Sequence, residues 1–133
     1  MSVRPPTTRI LVIEDNMDIA MLLQSVLTSH DYHVDLADDL SALRASREHL
    51  PDLILTDLLM PTMGGDEAVR RLRESPETRD IPVVLMSASQ DLPRRAAELE
   101  VDGYLSKPFD LDDLLAAVRR ALITPDGHGE GHG

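Results

Sequence analysis

Four short apolar runs in this chain each stop at residues able to do chemistry, and that arrangement restricts the folds open to it. Ile10-Leu11-Val12-Ile13 precedes Glu14-Asp15, and Leu53-Ile54-Leu55-Thr56 precedes Asp57. Val83-Val84-Leu85-Met86 precedes Ser87, and Gly103-Tyr104-Leu105-Ser106 precedes Lys107. Runs of this length bounded by turn signals read as strands buried on both faces, as in a parallel sheet. A fifth run, His33–Ala37, alternates polar and apolar residues and reads as an edge strand with one polar face.

Stretches with helical spacing separate the runs. Ile19, Leu22, Leu23, Val26 and Leu27 form the first stripe, which ends near His30-Asp31. Leu40, Leu43 and Leu50 anchor a second helix that Pro51 stops. A third, from about Gly65 to Glu74, turns Ala68, Val69 and Leu72 inward. A fourth starts near Asp91-Leu92-Pro93, where Asp can cap and Pro is tolerated in the first turn. It carries Ala96, Ala97 and Leu99, the weakest apolar stripe of the set. The fifth starts at the N-cap Asp110, with Asp112 and Asp113 at the positive end of the helix dipole. Its stripe is Leu111, Leu114, Leu115, Val118 and Leu122.

Five strand–helix units predict an α/β fold, a five-stranded parallel doubly wound sheet covered on both faces. Right-handed crossovers leave few topologies, and the strand order 2-1-3-4-5 is one of the two common ones. It makes strands 1, 3, 4 and 5 neighbours and puts the more polar strand 2 at the edge. The domain is expected over residues 9–123. Residues 1–8, with two prolines and two threonines, read as a flexible lead, and the Gly/His-rich residues 124–133 as a disordered tail.

Composition narrows the function classes. Thirteen Lys and Arg against 24 Asp and Glu give a net charge of −11, which argues against direct nucleic-acid binding. Aromatic residues are only 2% of the chain, so the core must be aliphatic. There is no cysteine, which excludes disulfides, thiolate metal sites and a thiol nucleophile. No apolar stretch approaches the ~20 residues of a membrane span, so no membrane insertion is expected. A cytoplasmic location is expected.

Reactive groups in an open parallel sheet gather at the carboxyl ends of the strands. Glu14, Asp15 and Asp57 should therefore meet Ser87 and Lys107 in one pocket. Three clustered carboxylates repel one another and invite a hard divalent cation. An ammonium and a hydroxyl opposite them suit a phosphoryl group.

At these residues the chain resembles the receiver domain of bacterial two-component response regulators, which have a (βα)5, flavodoxin-like, CheY-like fold. The resemblance rests on Val12-Ile13-Glu14-Asp15-Asn16, on Asp57-Leu58-Leu59-Met60-Pro61 followed by Met63 and Gly65, on Ile81–Ala88, and on Gly103–Phe109. It implies that Asp57 is the phosphoacceptor. It implies that Glu14, Asp15, Asp57 and the backbone carbonyl of Leu59 serve Mg²⁺, with Glu14 acting through water and Mn²⁺ as a substitute ion. Ser87, Ala88 and Lys107 would border the phosphoryl group. Ser87 and Tyr104 would be the switch pair, and Lys107-Pro108 a candidate cis bond. Glu14 stands where many members have Asp, Ser87 where Thr is frequent, and apolar Leu59 where many have a polar side chain. Leu59 is expected to shade the phosphoryl group from water and slow self-dephosphorylation.

The function implied is a stand-alone phosphorylation switch, not an enzyme beyond its own Mg²⁺-dependent aspartyl phosphorylation and dephosphorylation. Its partners would be a histidine kinase or histidine phosphotransferase and a downstream target protein. The fourth helix, fifth strand and fifth helix would form the interaction face. A phosphorylation-dependent homodimer through that face would set Asp110, Asp112 and Asp113 against Arg94, Arg95, Arg119 and Arg120. The alternative is a phospho-independent scaffold on the same fold. A flavin or nucleotide enzyme is disfavoured, because Glu14-Asp15-Asn16 puts negative charge where a phosphate would need glycines. A haloacid-type phosphatase would want a second acid where Leu59 stands.

Overall fold

The computed structural model describes residues 7–37, 50–58 and 65–123. In chain order these form β1 (Arg9–Ile13), α1 (Met17–Ser29), β2 (His33–Ala37), β3 (Leu53–Asp57), α2 (Gly65–Glu74), β4 (Val83–Ser87), α3 (Leu92–Leu99), β5 (Gly103–Ser106) and α4 (Leu111–Ile123). The expected third, fourth and fifth helices are thus α2, α3 and α4. The expected second helix, the lead up to Pro6 and the tail from Thr124 lie outside the described residues.

The sheet runs β2-β1-β3-β4-β5, with every neighbouring pair parallel, as the sequence predicts. Its register decides where chemistry can happen. Ile13 pairs with Thr56, Asp57 with Met86, and Ser87 with Ser106. The last residues of β1, β3, β4 and β5 therefore finish at nearly one level, along one edge.

Successive strand residues face opposite sides, so the sheet divides the core in two. On one side Ile10, Val12, Leu53, Leu55, Val84 and Met86 meet Leu23 and Leu27 of α1 and Leu114 and Val118 of α4. On the other, Leu11, Ile13, Ile54, Val83 and Leu85 meet Val69 and Leu72 of α2 and Leu92 and Ala96 of α3. All of these residues are buried, which is why β3 and β4 read as unbroken apolar runs. At the far end of the sheet, Asp102 accepts the Val83 N–H at 2.9 Å, and Arg73 donates to the carbonyls of Arg79 and Ile81. These bonds close the strand ends opposite the site.

Some helical positions differ from the sequence reading. Leu22 is exposed, because Leu23 and Leu27 take the sheet-facing side of α1 and the helix turns about 100° per residue. Ala20 is buried there instead. Ala97 is exposed while Ala96 is buried, for the same reason. Leu111 is also exposed, and Ala121 joins the buried side of α4. Asp91 does not cap α3 with its side chain; its carboxylate holds Arg94 Nη2 at 2.8 Å. Asp110, by contrast, accepts the Asp113 N–H at 2.8 Å at the start of α4.

Candidate functional site

Each functional side chain is placed by the end of a strand. Asp57 and Ser87 are the last residues of β3 and β4. Glu14 and Asp15 follow β1 directly, and Lys107 follows β5. The strand ends are held to one another. Glu14 N–H donates to Ala37 O at 3.1 Å, Leu58 N–H to Met86 O at 2.8 Å, and Lys107 N–H to Ser87 O at 2.9 Å. The Lys107–Pro108 peptide bond is cis.

Lys107 joins the groups. Its Nζ lies 3.1 Å from Glu14 Oε1 and 3.2 Å from Asp57 Oδ2. Glu14, Asp57 and Ser87 are buried, whereas Asp15 is exposed. One ligand oxygen from each of Glu14, Asp15 and Asp57 lies within 4.8 Å of the others. That is a compact set of hard oxygen donors, and it suits a small divalent cation.

Burial pushes the Glu14 carboxyl above its usual range, and the charge of Asp57 adds to the rise. The Asn16 N–H, donating to Glu14 Oε2 at 3.1 Å, and Lys107 pull it part of the way back. For Lys107, burial is the largest single influence and disfavours the ammonium. The bonds and charges of Glu14 and Asp57 together outweigh it, so the ammonium is held above the ordinary lysine range. The pocket is thus a cation clamped between carboxylates, open at the side where Asp15 meets solvent.

The structure brings Glu14, Asp15, Asp57 and Lys107 together, with Ser87 at the end of the strand between those of Asp57 and Lys107. Ala88 beside Ser87 is exposed. Tyr104, 46% exposed, lies on β5 next to a groove of about 560 Å³ shared with α4 and lined in part by Gly103, Ala116, Ala117 and Arg120. Leu59 lies outside the described residues. Arg94 and Arg95 already have partners within the chain: Arg94 holds Asp91 and Glu98, and Arg95 reaches Asp66 on α2 at 3.1 Å.

Two contributors carried signals that could have been read for a role. Asn16 stands just before a helical stripe, where it caps α1 through Ile19 N–H while its own N–H orients Glu14. Ser89 lies two residues after Ser87, the spacing of a hydroxyl turn, and its N–H donates to Ser87 Oγ at 3.0 Å.

Comparison with known proteins identifies related chains. The family model "Response regulator receiver domain" matches residues 10–119. Response regulator ArlR of Staphylococcus aureus is 36% identical over 118 residues, covering 86% of this chain and 52% of that protein. The chain therefore spans about half the length of the curated relatives it matches. The chemotaxis response regulator CheY4 of Vibrio cholerae superimposes with a TM-score of 0.79 at 25% identity, covering 88% of this chain and all of that one. The receiver domain of a sensor histidine kinase from Pseudomonas aeruginosa, solved with a magnesium ion coordinated in its active site cleft, gives 0.77 at 28% identity, covering 88% and 98%. The chain belongs to the response regulator receiver domain family.

Proposed function

We propose that this receiver accepts a phosphoryl group on Asp57 from a phosphohistidine partner and transmits the change through α3, β5 and α4. The observation that carries the reading is Lys107 Nζ placed 3.2 Å from Asp57 Oδ2 beside a three-carboxylate cluster. An Asp57 oxygen would attack phosphorus as the bond to the donor's imidazole nitrogen breaks, leaving an acyl phosphate and a free imidazole. Such transfers depend mainly on positioning and charge neutralisation, and the side chains here supply both.

Mg²⁺ fits the donor set: Asp15 and Asp57 would hold it directly, Glu14 through water, and Leu59 through its backbone carbonyl. When bound, the ion offsets the charge that gathers on the transferring phosphoryl oxygens. Lys107 would neutralise a phosphoryl oxygen from the opposite side, since its ammonium is already fixed beside Asp57. Ser87, one strand over, would donate its hydroxyl proton to another oxygen. Ala88 is small and exposed and leaves the approach to Asp57 open to a donor.

Tyr104 is exposed and borders the groove between β5 and α4. Its inward turn would reshape that groove, and a target or second copy docking there would read the change. The exposed Met17, Met21 and Leu22 on α1 offer an apolar surface next to Asp15 and Asn16, where a protein donor has to sit.

The test is phosphorylation by acetyl phosphate with Mg²⁺, read by intact mass beside an Asp57→Asn control. A hydrolysable gain of one phosphoryl group, absent in the control and without Mg²⁺, is the expected result. A protein that gains nothing from acetyl phosphate and does not bind beryllofluoride is instead a phospho-independent scaffold.

A further inference from the structure

The start of α3 is built in an unusual way. Its N-cap residue Asp91 has helical φ and ψ and makes no side-chain cap bond. The helix is held instead from two residues upstream. Ser89 Oγ accepts the Asp91 N–H at 3.1 Å, and Ser89 O accepts the Leu92 N–H at 3.2 Å. Ser89 is in turn held by the site, because its own N–H donates to Ser87 Oγ at 3.0 Å. The sequence Ser87-Ala88-Ser89-Gln90-Asp91 is therefore two hydroxyl turns laid end to end. The first begins on the hydroxyl of buried Ser87 at the site, and the second ends on Asp91, the N-cap residue of α3.

We propose that Ser89 is a positioning residue that carries the state of the Ser87 hydroxyl to α3. The inference rests on the phosphoacceptor reading above and names how that site is coupled to the helix. A serine hydroxyl has one proton and two acceptor lone pairs. With one lone pair on Ser89 N–H, the direction of the Ser87 proton is tied to the position of the 88–89 peptide. When Ser87 Oγ turns to donate to a phosphoryl oxygen, the Ser89 N–H follows or loses its acceptor. Either movement displaces Ser89 Oγ, and with it the Asp91 N–H that this oxygen holds.

The rest of α3 is suited to such a signal. It has eight residues, and Leu92 and Ala96 are its buried anchors. Across to α2 it makes the Arg95–Asp66 ion pair, whose members are about one-third exposed, so that contact restrains it weakly. An element with few buried anchors needs little free energy to shift.

The test compares wild type, Ser89→Ala and Ser89→Thr, using beryllofluoride with Mg²⁺ as the phosphoryl mimic. Two readouts separate binding from transmission: beryllofluoride affinity, and the change in amide hydrogen exchange over residues 92–99 on binding. Ser89→Ala keeps the N–H on Ser87 and removes the acceptor for Asp91. Its affinity is expected to stay within about two-fold of wild type, while the exchange change over α3 is at least halved. Ser89→Thr keeps the hydroxyl and restores the response. An α3 response in Ser89→Ala equal to wild type overturns the relay, and so does an equal loss in both variants. Wild-type protein that binds no beryllofluoride overturns the phosphoacceptor reading itself, an outcome visible in the affinity before any exchange is measured.

Discussion

Lys107 and Glu14 meet at 3.1 Å across the site, and each changes what the other can be. Glu14 is a buried carboxyl held above its ordinary value of 4.5 chiefly by burial, and Lys107 is one of the groups that keep it from rising further. Lys107 is an ammonium held above its ordinary 10.5 by Glu14 and Asp57 against the cost of its own burial. Each therefore offsets part of the cost of burying the other beside Asp57.

Removing that cation should therefore cost stability in a pH-dependent way. Glu14 binds protons more tightly when folded than when unfolded, so its contribution to stability falls as pH rises from 4.5 through its folded value. Lys107 contributes fully below 10.5 and loses its contribution as pH rises through its higher folded value. In Lys107→Met the second contribution disappears and Glu14 is pushed further upward. The expected loss is about 1–2 kcal/mol at neutral pH, reduced from the fully buried case because the site is partly open. It should shrink as pH falls below 4.5, where Glu14 is protonated in both states. Urea unfolding of metal-free protein across pH measures this, and a loss that does not vary with pH would reject the electrostatic account.

Mg²⁺ should stabilise the fold through the same carboxylates. A ligand that binds only the folded state at a hundred times its Kd contributes about 2.7 kcal/mol. That corresponds to a rise in Tm of several degrees for a domain of this size. Asp15→Asn and Asp57→Asn each remove one of the three clustered carboxylates and should abolish most of the rise. The metal-free Tm of Asp15→Asn should equal or exceed that of wild type, because an exposed member of a repelling cluster is gone and the Lys107 contacts stay. Thermal melts with Mg²⁺ and with a chelator decide the matter; an undiminished Mg²⁺ response in Asp15→Asn would place the ion elsewhere.

Leu59 follows the proposed acceptor by two residues and is apolar. An apolar group there should hinder water from reaching phosphorus in line with the acyl bond. Leu59→Asn is expected to shorten the lifetime of the acyl phosphate several-fold, while loading by acetyl phosphate stays near wild type. Decay followed by intact mass after removal of the donor measures it, and equal lifetimes would reject the shading role.

The sheet and the residues at its ends were legible because two independent signals coincide there. An apolar run fixes a buried strand, and a polar residue at its end fixes where burial stops. The helix faces were less legible. Leu22 and Leu23 are adjacent and equally apolar, and only the direction of the sheet selects Leu23. Ala96 and Ala97 pose the same ambiguity. The Arg94–Glu98 pair follows from i,i+4 spacing and could have been read, whereas Arg95–Asp66 depends on how α2 and α3 lie together and could not. Asp91 looked like a cap by residue type, but Arg94 three residues on competes for its carboxylate, and Ser89 takes over the start of the helix.

The exposed side of α1 leads to a prediction that separates two kinds of donor. Met17, Met21 and Leu22 are each more than half exposed, and their helix starts beside Asp15. A small donor such as acetyl phosphate has only to enter the pocket, whereas a protein donor has to cover its rim. Leu22→Glu places a charge in that patch without touching the buried side of α1, so folding stability should change by less than about 0.5 kcal/mol. Transfer from a phosphorylated histidine phosphotransferase should slow about ten-fold, equivalent to about 1.4 kcal/mol of lost contact, and labelling by acetyl phosphate should be unaffected. Side-by-side rates for the two donors decide it. Equal slowing with both would mean that the substitution disturbs the site itself, and no slowing with either would place the donor on another face.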